Sequence, residues 1–218
     1  MPDTKSMIKD HVLDRPNSYI GRSVPRPNAK RLLAGRGTFT DDVKLPRLTH
    51  VAFLRSTYAH AEIVSIDVSE AKESEGVVAV VTGPEMAEVC SPWVGVLTHL
   101  EGLKSSPQHA LAFKKASWQG EPVVAVVANT RAQAEDAIEL IDIEWKELPV
   151  VADMETALDP ETPLIHPELG DNLAWQRDLD AGDVDTAFAN ADHVIEETYI
   201  SNRHTGVCLE TRGIVADY

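Results

Sequence analysis

The chain has 218 residues, 43% hydrophobic and 25% charged, a composition that supports a sizeable core in one large domain or two small ones. Its formal net charge of -15 opposes binding to phosphate backbones and to anionic membrane surfaces, which excludes a nucleic-acid binder. No run of about 18 apolar residues occurs, so no membrane span is predicted, and the opening MPDTKSMIKDHVLDRPNSYIG lacks the apolar stretch of a secretory signal.

The two cysteines, Cys90 and Cys208, form no C-x-x-C and no disulfide framework. Each reads as a small buried hydrophobe in a reducing compartment, the cytoplasm.

Residues 1–18 are polar and aperiodic, a tail. The prolines of Gly21-Arg22-Ser23-Val24-Pro25-Arg26-Pro27 exclude helix and central strand. Lys30 to Ala34 suits a short helical turn ending at Gly35. Residues 48–56 read as a strand, and residues 63–68 as another, with Ile63 and Ile66 on opposite faces. Ser69 suits a cap for a brief helix over 70–74. The run Val77-Val78-Ala79-Val80-Val81 suits a strand buried on both faces, and Gly83-Pro84 opens a short helix. Residues 90–120 show no sustained period.

Residues 122–128, PVVAVVA, predict a second buried strand. Thr130-x-x-Gln133 is a capping-box pattern, followed by Ala134, Ala137, Ile138 and Ile141 on one helix face. Ile141, Ile143 and Trp145 then alternate with acids and a lysine, a half-exposed strand at a sheet edge. The fold class is α/β (α+β). Prolines and acids over 149–182 read as a linker, with one small helix near 153–158. Asp183 caps a further helix, and residues 193–200 and 209–218 read as two strands.

Chemistry-bearing patterns are sparse. Neither His60 nor His193 belongs to a metal-ligand spacing, and both read as structural or surface residues. Gly35-Arg36-Gly37 is a partial glycine fingerprint, but the acidic pair Asp41-Asp42 follows it and repels a phosphate. No nucleophile elbow is present.

Several stretches in order nevertheless resemble one family. They are Gly21 to Arg26; Leu33-Ala34-Gly35-Arg36-Gly37-Thr38-Phe39-Thr40-Asp41-Asp42-Val43; Ala52-Phe53-Leu54-Arg55-Ser56 with Ala59-His60-Ala61; and Gly76 to Gly83. Gly120-Glu121-Pro122-Val123, Pro149-Val150-Val151, Gly182-Asp183, Ala191-Asp192-His193-Val194 and Leu209-Glu210-Thr211-Arg212-Gly213 complete the series. Together they resemble the start of the molybdopterin-binding large subunit of the xanthine dehydrogenase and aldehyde oxidase family, including the carbon monoxide dehydrogenase-like branch. Thr57-Tyr58 departs from the usual Pro-His, and Leu209-Glu210-Thr211-Arg212 from the common Met-Glu-Pro-Arg.

The resemblance implies a hammerhead-like domain over 19–148, a linker over 149–182, and the first strands of an incomplete molybdopterin-binding domain over 183–218. It assigns structural or interface roles to Gly35, Gly37, Asp42, Arg55, His60, Gly120, Glu121, Pro122, Glu210, Arg212 and Gly213, and no catalytic, cofactor or metal role to any of them. Glu210 is expected to be a buried carboxylate paired with Arg212 or another arginine. For the whole enzyme the resemblance implies molybdenum on molybdopterin in its cytosine dinucleotide form, FAD, 2Fe-2S clusters, an FAD-binding subunit, an iron-sulfur subunit and a small-molecule substrate. This chain alone is expected to be inactive. The alternatives are a non-enzymatic assembly module and one piece of a split large subunit.

Overall fold

The computed structural model describes residues 19, 23–95, 97, 99–202, 204–208 and 210–217; the expected tail over 1–18 lies outside them. The chain divides into two compact units, residues 1–45 with 200–218, and residues 46–199.

In the first unit, α1 (Ala29–Leu33) ends as expected: Gly35 has φ 69° and its N–H donates to the Leu32 carbonyl. A single helical turn, Thr40–Asp42, follows, with the Asp42 carboxylate accepting the Phe39 N–H at 3.0 Å. The described residues beyond 200 form no strand. A strand needs a partner ladder, and no described segment of this unit provides one. Both cysteines are exposed thiols rather than buried hydrophobes.

The second unit holds two three-stranded antiparallel sheets. One orders β1 (His50–Arg55), β5 (Pro122–Ala128) and β3 (Val77–Thr82) with β5 central; the other places β2 (Ala61–Asp67) between β4 (Lys115–Ala116) and β6 (Asp142–Glu147). The unbroken apolar run of β5 explains its central position, since Val123, Val124, Val126 and Ala128 are fully buried. Helices α2 (Ser69–Glu73) and α4 (Arg131–Ile138) cover the first sheet. Ala134 and Ala137 of α4 bring its backbone close to β5, while Ile138 and Ile141 pack at the core's margin. Thr130 caps α4 as expected, its hydroxyl oxygen accepting the Gln133 N–H at 3.2 Å.

Three expectations fail for local reasons. β3 is an edge strand rather than a doubly buried one; its register slips between Val77 and Ala79, and Val78 is 60% exposed. A second bulge lies in β2, where Ile63 faces Trp145 and Ser65 faces Glu144. The extra residue, Val64, turns outward, so Ile63 and Ile66 both pack on the core instead of on opposite faces. Asp67, rather than Ser69, initiates α2 by accepting the Ser69 N–H at 2.9 Å.

Residues 153–158 form turns instead of a helix, because the Asp153 carboxylate takes the Glu155 N–H at 2.9 Å and closes a local loop. The 149–182 region contains one short helical turn, Pro167–Leu169, and lies against residues 100–117. Helix α3 (Gly83–Val89) follows β3, and α5 (Val184–Ala189) is capped by the Asp183 carboxylate, which accepts the Thr186 N–H at 3.0 Å. Residues 193–199 are exposed and carry no ladder; Tyr199 is 90% exposed. No helix among the described residues is long and apolar enough to cross a membrane.

Candidate functional site

The second unit contains a cleft of about 310 Å³ whose walls come from sequence-distant segments. One wall is the approach to β5. Leu111 and Ala112 are buried there, and the Ala112 N–H donates to the Pro122 carbonyl at 2.7 Å. Gly83 makes that fit possible, because a Cβ at this position would lie 2.1 Å from the Ala112 carbonyl oxygen.

From β4 the chain turns back through residues 117–121. Gly120, at φ 90°, supplies the left-handed residue, donates its N–H to Ser56 at 2.8 Å and accepts the Arg55 guanidinium at 2.9 Å. The Arg55 guanidinium also lies 5.7 Å over the Phe53 ring.

Glu121 closes the turn from inside. It is 7% exposed, and its Oε2 accepts the Ser117 N–H at 2.6 Å. Burial pushes its carboxyl above the ordinary value, against the opposing pull of the Ser117 and Trp118 N–H groups and of Lys115.

The other wall is the turn at 163–172. Asn172 ties it together: its amide donates to the Ala157 and Pro163 carbonyls at 2.9 and 3.0 Å, and its oxygen accepts the Ile165 N–H at 3.2 Å. The two walls are joined where Lys115 donates to the Ile165 carbonyl, Ser106 donates to Glu168 at 2.5 Å and Lys104 pairs with Asp171.

The Ser106 hydroxyl holds the Glu168 carboxyl below its usual range. Burial, and then Lys115, lower the proton affinity of His166. Nδ1 of His166 lies 3.4 Å from Glu168, an ion-pair distance without hydrogen-bond geometry, and Nδ1 of His109 is buried without a partner.

The residues singled out from the sequence are divided between the two units. Arg55, His60, Gly120, Glu121 and Pro122 fall in the second. His60 is 6% exposed; its Nδ1–H donates to the Pro149 carbonyl at 2.7 Å and its carbonyl accepts the Leu148 N–H, an anchoring role. Gly35, Gly37, Asp42, Glu210, Arg212 and Gly213 fall in the first.

There, residues 39–42 and 210–213 line a cleft of about 460 Å³. Glu210 is exposed, not buried, and accepts the Thr40 N–H at 3.2 Å rather than pairing with Arg212. Gly213 lies so close that a Cβ would come within 2.8 Å of the Thr40 side chain, and Gly37 packs beside Phe39 and Leu32. Among the described residues no group of three histidine, cysteine or carboxylate side chains is arranged to hold a metal ion.

Sequence reasoning missed His109, Lys115, His166 and Glu168. Only Glu121 carried a motif signal; the others converge from segments about fifty residues apart with no fixed spacing.

Comparison with known proteins gives a consistent result. Residues 34–149 match the family model described as aldehyde oxidase and xanthine dehydrogenase, a/b hammerhead domain, and residues 165–218 match the molybdopterin cofactor-binding domain. The chain is 40% identical over 223 residues to the 6-hydroxypseudooxynicotine dehydrogenase complex subunit gamma of Paenarthrobacter nicotinovorans, covering 99% of this chain and 28% of that one. It is 38% identical to the nicotine 6-hydroxylase large subunit of the same organism, covering 94% of this chain and 26% of that one. The crystal structure of quinoline 2-oxidoreductase from Pseudomonas putida 86 superposes with a TM-score of 0.61 at 44% identity, covering 65% of this chain and 18% of that one. The chain thus spans 26–28% of the length of these two curated relatives.

Proposed function

The chain belongs to the aldehyde oxidase and xanthine dehydrogenase family, and on that premise we propose that it is the N-terminal portion of the molybdopterin-binding large subunit of a molybdenum hydroxylase. The whole enzyme would oxidise an aldehyde, an N-heterocycle or a similar small molecule, with water as the oxygen source. One observation carries this reading: a hammerhead match at 34–149 is followed in the same chain by a cofactor-binding-domain match at 165–218. The relatives named for nicotine and quinoline favour an N-heterocycle. A relative named as one subunit of a complex supports partner subunits, for which FAD-binding and iron-sulfur subunits are proposed. Two unpaired thiols suit a reducing cytoplasm.

Molybdopterin, as its cytosine dinucleotide, would supply the oxidation chemistry of the whole enzyme. The described residues do not fit it. A pyrophosphate needs free backbone N–H groups or cations. In the first unit the Phe39 and Thr40 N–H groups are already taken by Asp42 and Glu210, and among the described residues Arg212 is the single cation lining a cleft that also holds those two carboxylates. The cleft of the second unit is smaller than a dinucleotide. No reaction step is therefore routed through these residues, and Glu210 is not the catalytic base. The chain's proposed contribution is the scaffold on which the large subunit is built.

Molybdenum analysis tests this reading. The natural complex containing this polypeptide is expected to carry molybdenum and to reduce a dye with an aldehyde or N-heterocycle. The 218-residue chain by itself is expected to do neither. Stoichiometric molybdenum on the isolated chain, or a natural complex lacking the metal, would overturn the proposal.

A further inference from the structure

Charge is unevenly placed in the second unit. Residues 153–182 hold eight acids and one cation, Arg177, whereas residues 102–120 hold three lysines, Lys104, Lys114 and Lys115, and no acid. The acidic segment lies against the basic one. In a chain of net charge -15 this pairing is a local complementarity.

Polar bonds hold the two together, not a shared core. No residue from 150 to 182 is buried, in contrast to the fully buried valines of β5. The Lys115 ammonium donates to the Ile165 carbonyl, and the Ser106 hydroxyl donates to the Glu168 carboxylate at 2.5 Å. The Lys104 ammonium meets the Asp171 carboxylate and the Leu169 carbonyl, the latter at 3.3 Å. Two neutral bonds complete the seam: the Lys104 N–H donates to the Ala174 carbonyl at 2.8 Å, and the Trp175 indole N–H to the Glu101 carbonyl at 3.3 Å.

The acidic segment is also tied to itself. Asn172 bonds to residues 157, 163 and 165, as described above. The Thr162 hydroxyl donates to the Thr156 carbonyl at 2.6 Å, the Leu169 N–H to the His166 carbonyl at 2.9 Å and the Leu173 N–H to the Asp171 carboxylate at 3.0 Å. These bonds need nothing from residues 101–115. A segment closed on itself, and joined to its neighbour by polar bonds alone, separates as one piece at lower cost than it unravels.

We propose that residues 156–175 form a strap that opens as a unit, freeing residues 101–115 and uncovering the cleft while both sheets and the strap's own turns stay folded. The contacts of Lys104, Ser106 and Lys115 set how often it opens. Most of the seam uses an ionised partner, and the Asp171 side chain is 55% exposed, so salt reaches the seam and screens it. Opening therefore becomes more frequent as ionic strength rises.

The test is hydrogen exchange read by mass spectrometry at single-residue resolution, on the natural polypeptide with any partner subunits it carries. The Lys104 amide, bonded across the seam to Ala174, reports opening; the Ile165 amide, bonded to Asn172 within the strap, reports the strap's integrity. The β5 amides report the sheet. Ser106→Ala and Lys115→Met each remove one bond made with an ionised group, and each is expected to speed exchange of the Lys104 amide about tenfold. Ile165 and β5 amides should stay within about twofold of the parent. Lys115→Arg keeps the cation and should leave the Lys104 amide within about threefold. Raising sodium chloride from about 0.05 M to about 1 M should speed the Lys104 amide of the parent about threefold, a measurement that needs no substitution. The proposal would be overturned by a Lys104 amide that is unprotected in the parent, or one unmoved by salt and by folded Ser106→Ala and Lys115→Met variants. Acceleration of the Ile165 or β5 amides in step with Lys104 would equally overturn it, because the strap would then be fraying or the unit unfolding.

Discussion

Glu121 gives the sharpest test of how this hammerhead unit is held together. Its Oε2 is the partner of the Ser117 N–H at 2.6 Å inside a turn that Gly120 closes, and the residue is 7% exposed. Glu121→Leu keeps the volume but strands that N–H. A hydrogen bond to a charged buried acceptor contributes about 1.5–3 kcal/mol, so the variant should lose about that much stability. In a chain of this size the loss corresponds to roughly 3–12 °C in Tm. Glu121→Gln keeps an acceptor and removes the charge, and should lose much less.

The pH dependence separates the two effects. Burial raises the folded-state pKa of Glu121 above its ordinary 4.5, so the unfolded chain ionises first. Below that ordinary value both states are protonated and the burial penalty is absent. As pH rises through the raised folded value the penalty develops in full, and the parent loses stability relative to Glu121→Gln. Urea denaturation monitored by circular dichroism, from pH 4 to pH 8, should show the parent falling behind Gln with rising pH while Leu stays below both. A Leu variant no weaker than Gln, or a parent that gains on Gln as pH rises, would refute the reasoning.

Two further outcomes follow from the same geometry. Val126→Ala removes two methyl groups from a fully buried position in the central strand, paired with Ala52 and Val80, and should cost about 2–3 kcal/mol in urea denaturation. Asn172→Ala removes three hydrogen bonds that fix the 157–165 turn; hydrogen exchange should show the Ile165 amide losing protection while β5 amides keep theirs.

Elements whose apolar pattern matches a single environment were legible in the sequence. β5 is apolar on both faces and lies in the middle of its sheet; β6 alternates and lies at an edge; α4 begins at a threonine whose hydroxyl does cap it. The misreadings share a cause. β3 has the composition of β5, yet a strand's position in the sheet depends on its neighbours, and composition does not encode neighbours. The bulge at Val64 inverts the inside-outside alternation for one step, and a period-two reading has no means of marking where the count slips. Residues 193–200 have strand composition, but a strand exists only with a ladder partner.

The cleft was the least legible feature, and the reason lies in what its residues do. Glu121 sits in Gly120-Glu121-Pro122, where a left-handed glycine and a strand-opening proline leave a local trace. His109 and His166 carry no such trace: one follows an isolated bridge between Trp93 and Gln108, and the other precedes a short helical turn. Their approach depends on contacts of the kind made by Lys115 with Ile165 and Ser106 with Glu168. Each is a single polar bond between segments that both read as loop. Such bonds require no periodicity, so nothing in either segment anticipates the other. The 149–182 region accordingly read as a linker, although its Leu169 and Ile165 carbonyls meet Lys104 and Lys115 and its Asp171 and Glu168 carboxylates meet Lys104 and Ser106. A polar crossing that pairs with lysines over a cleft and a polar crossing that merely spans solvent have the same composition. Only the position of the partner groups tells them apart.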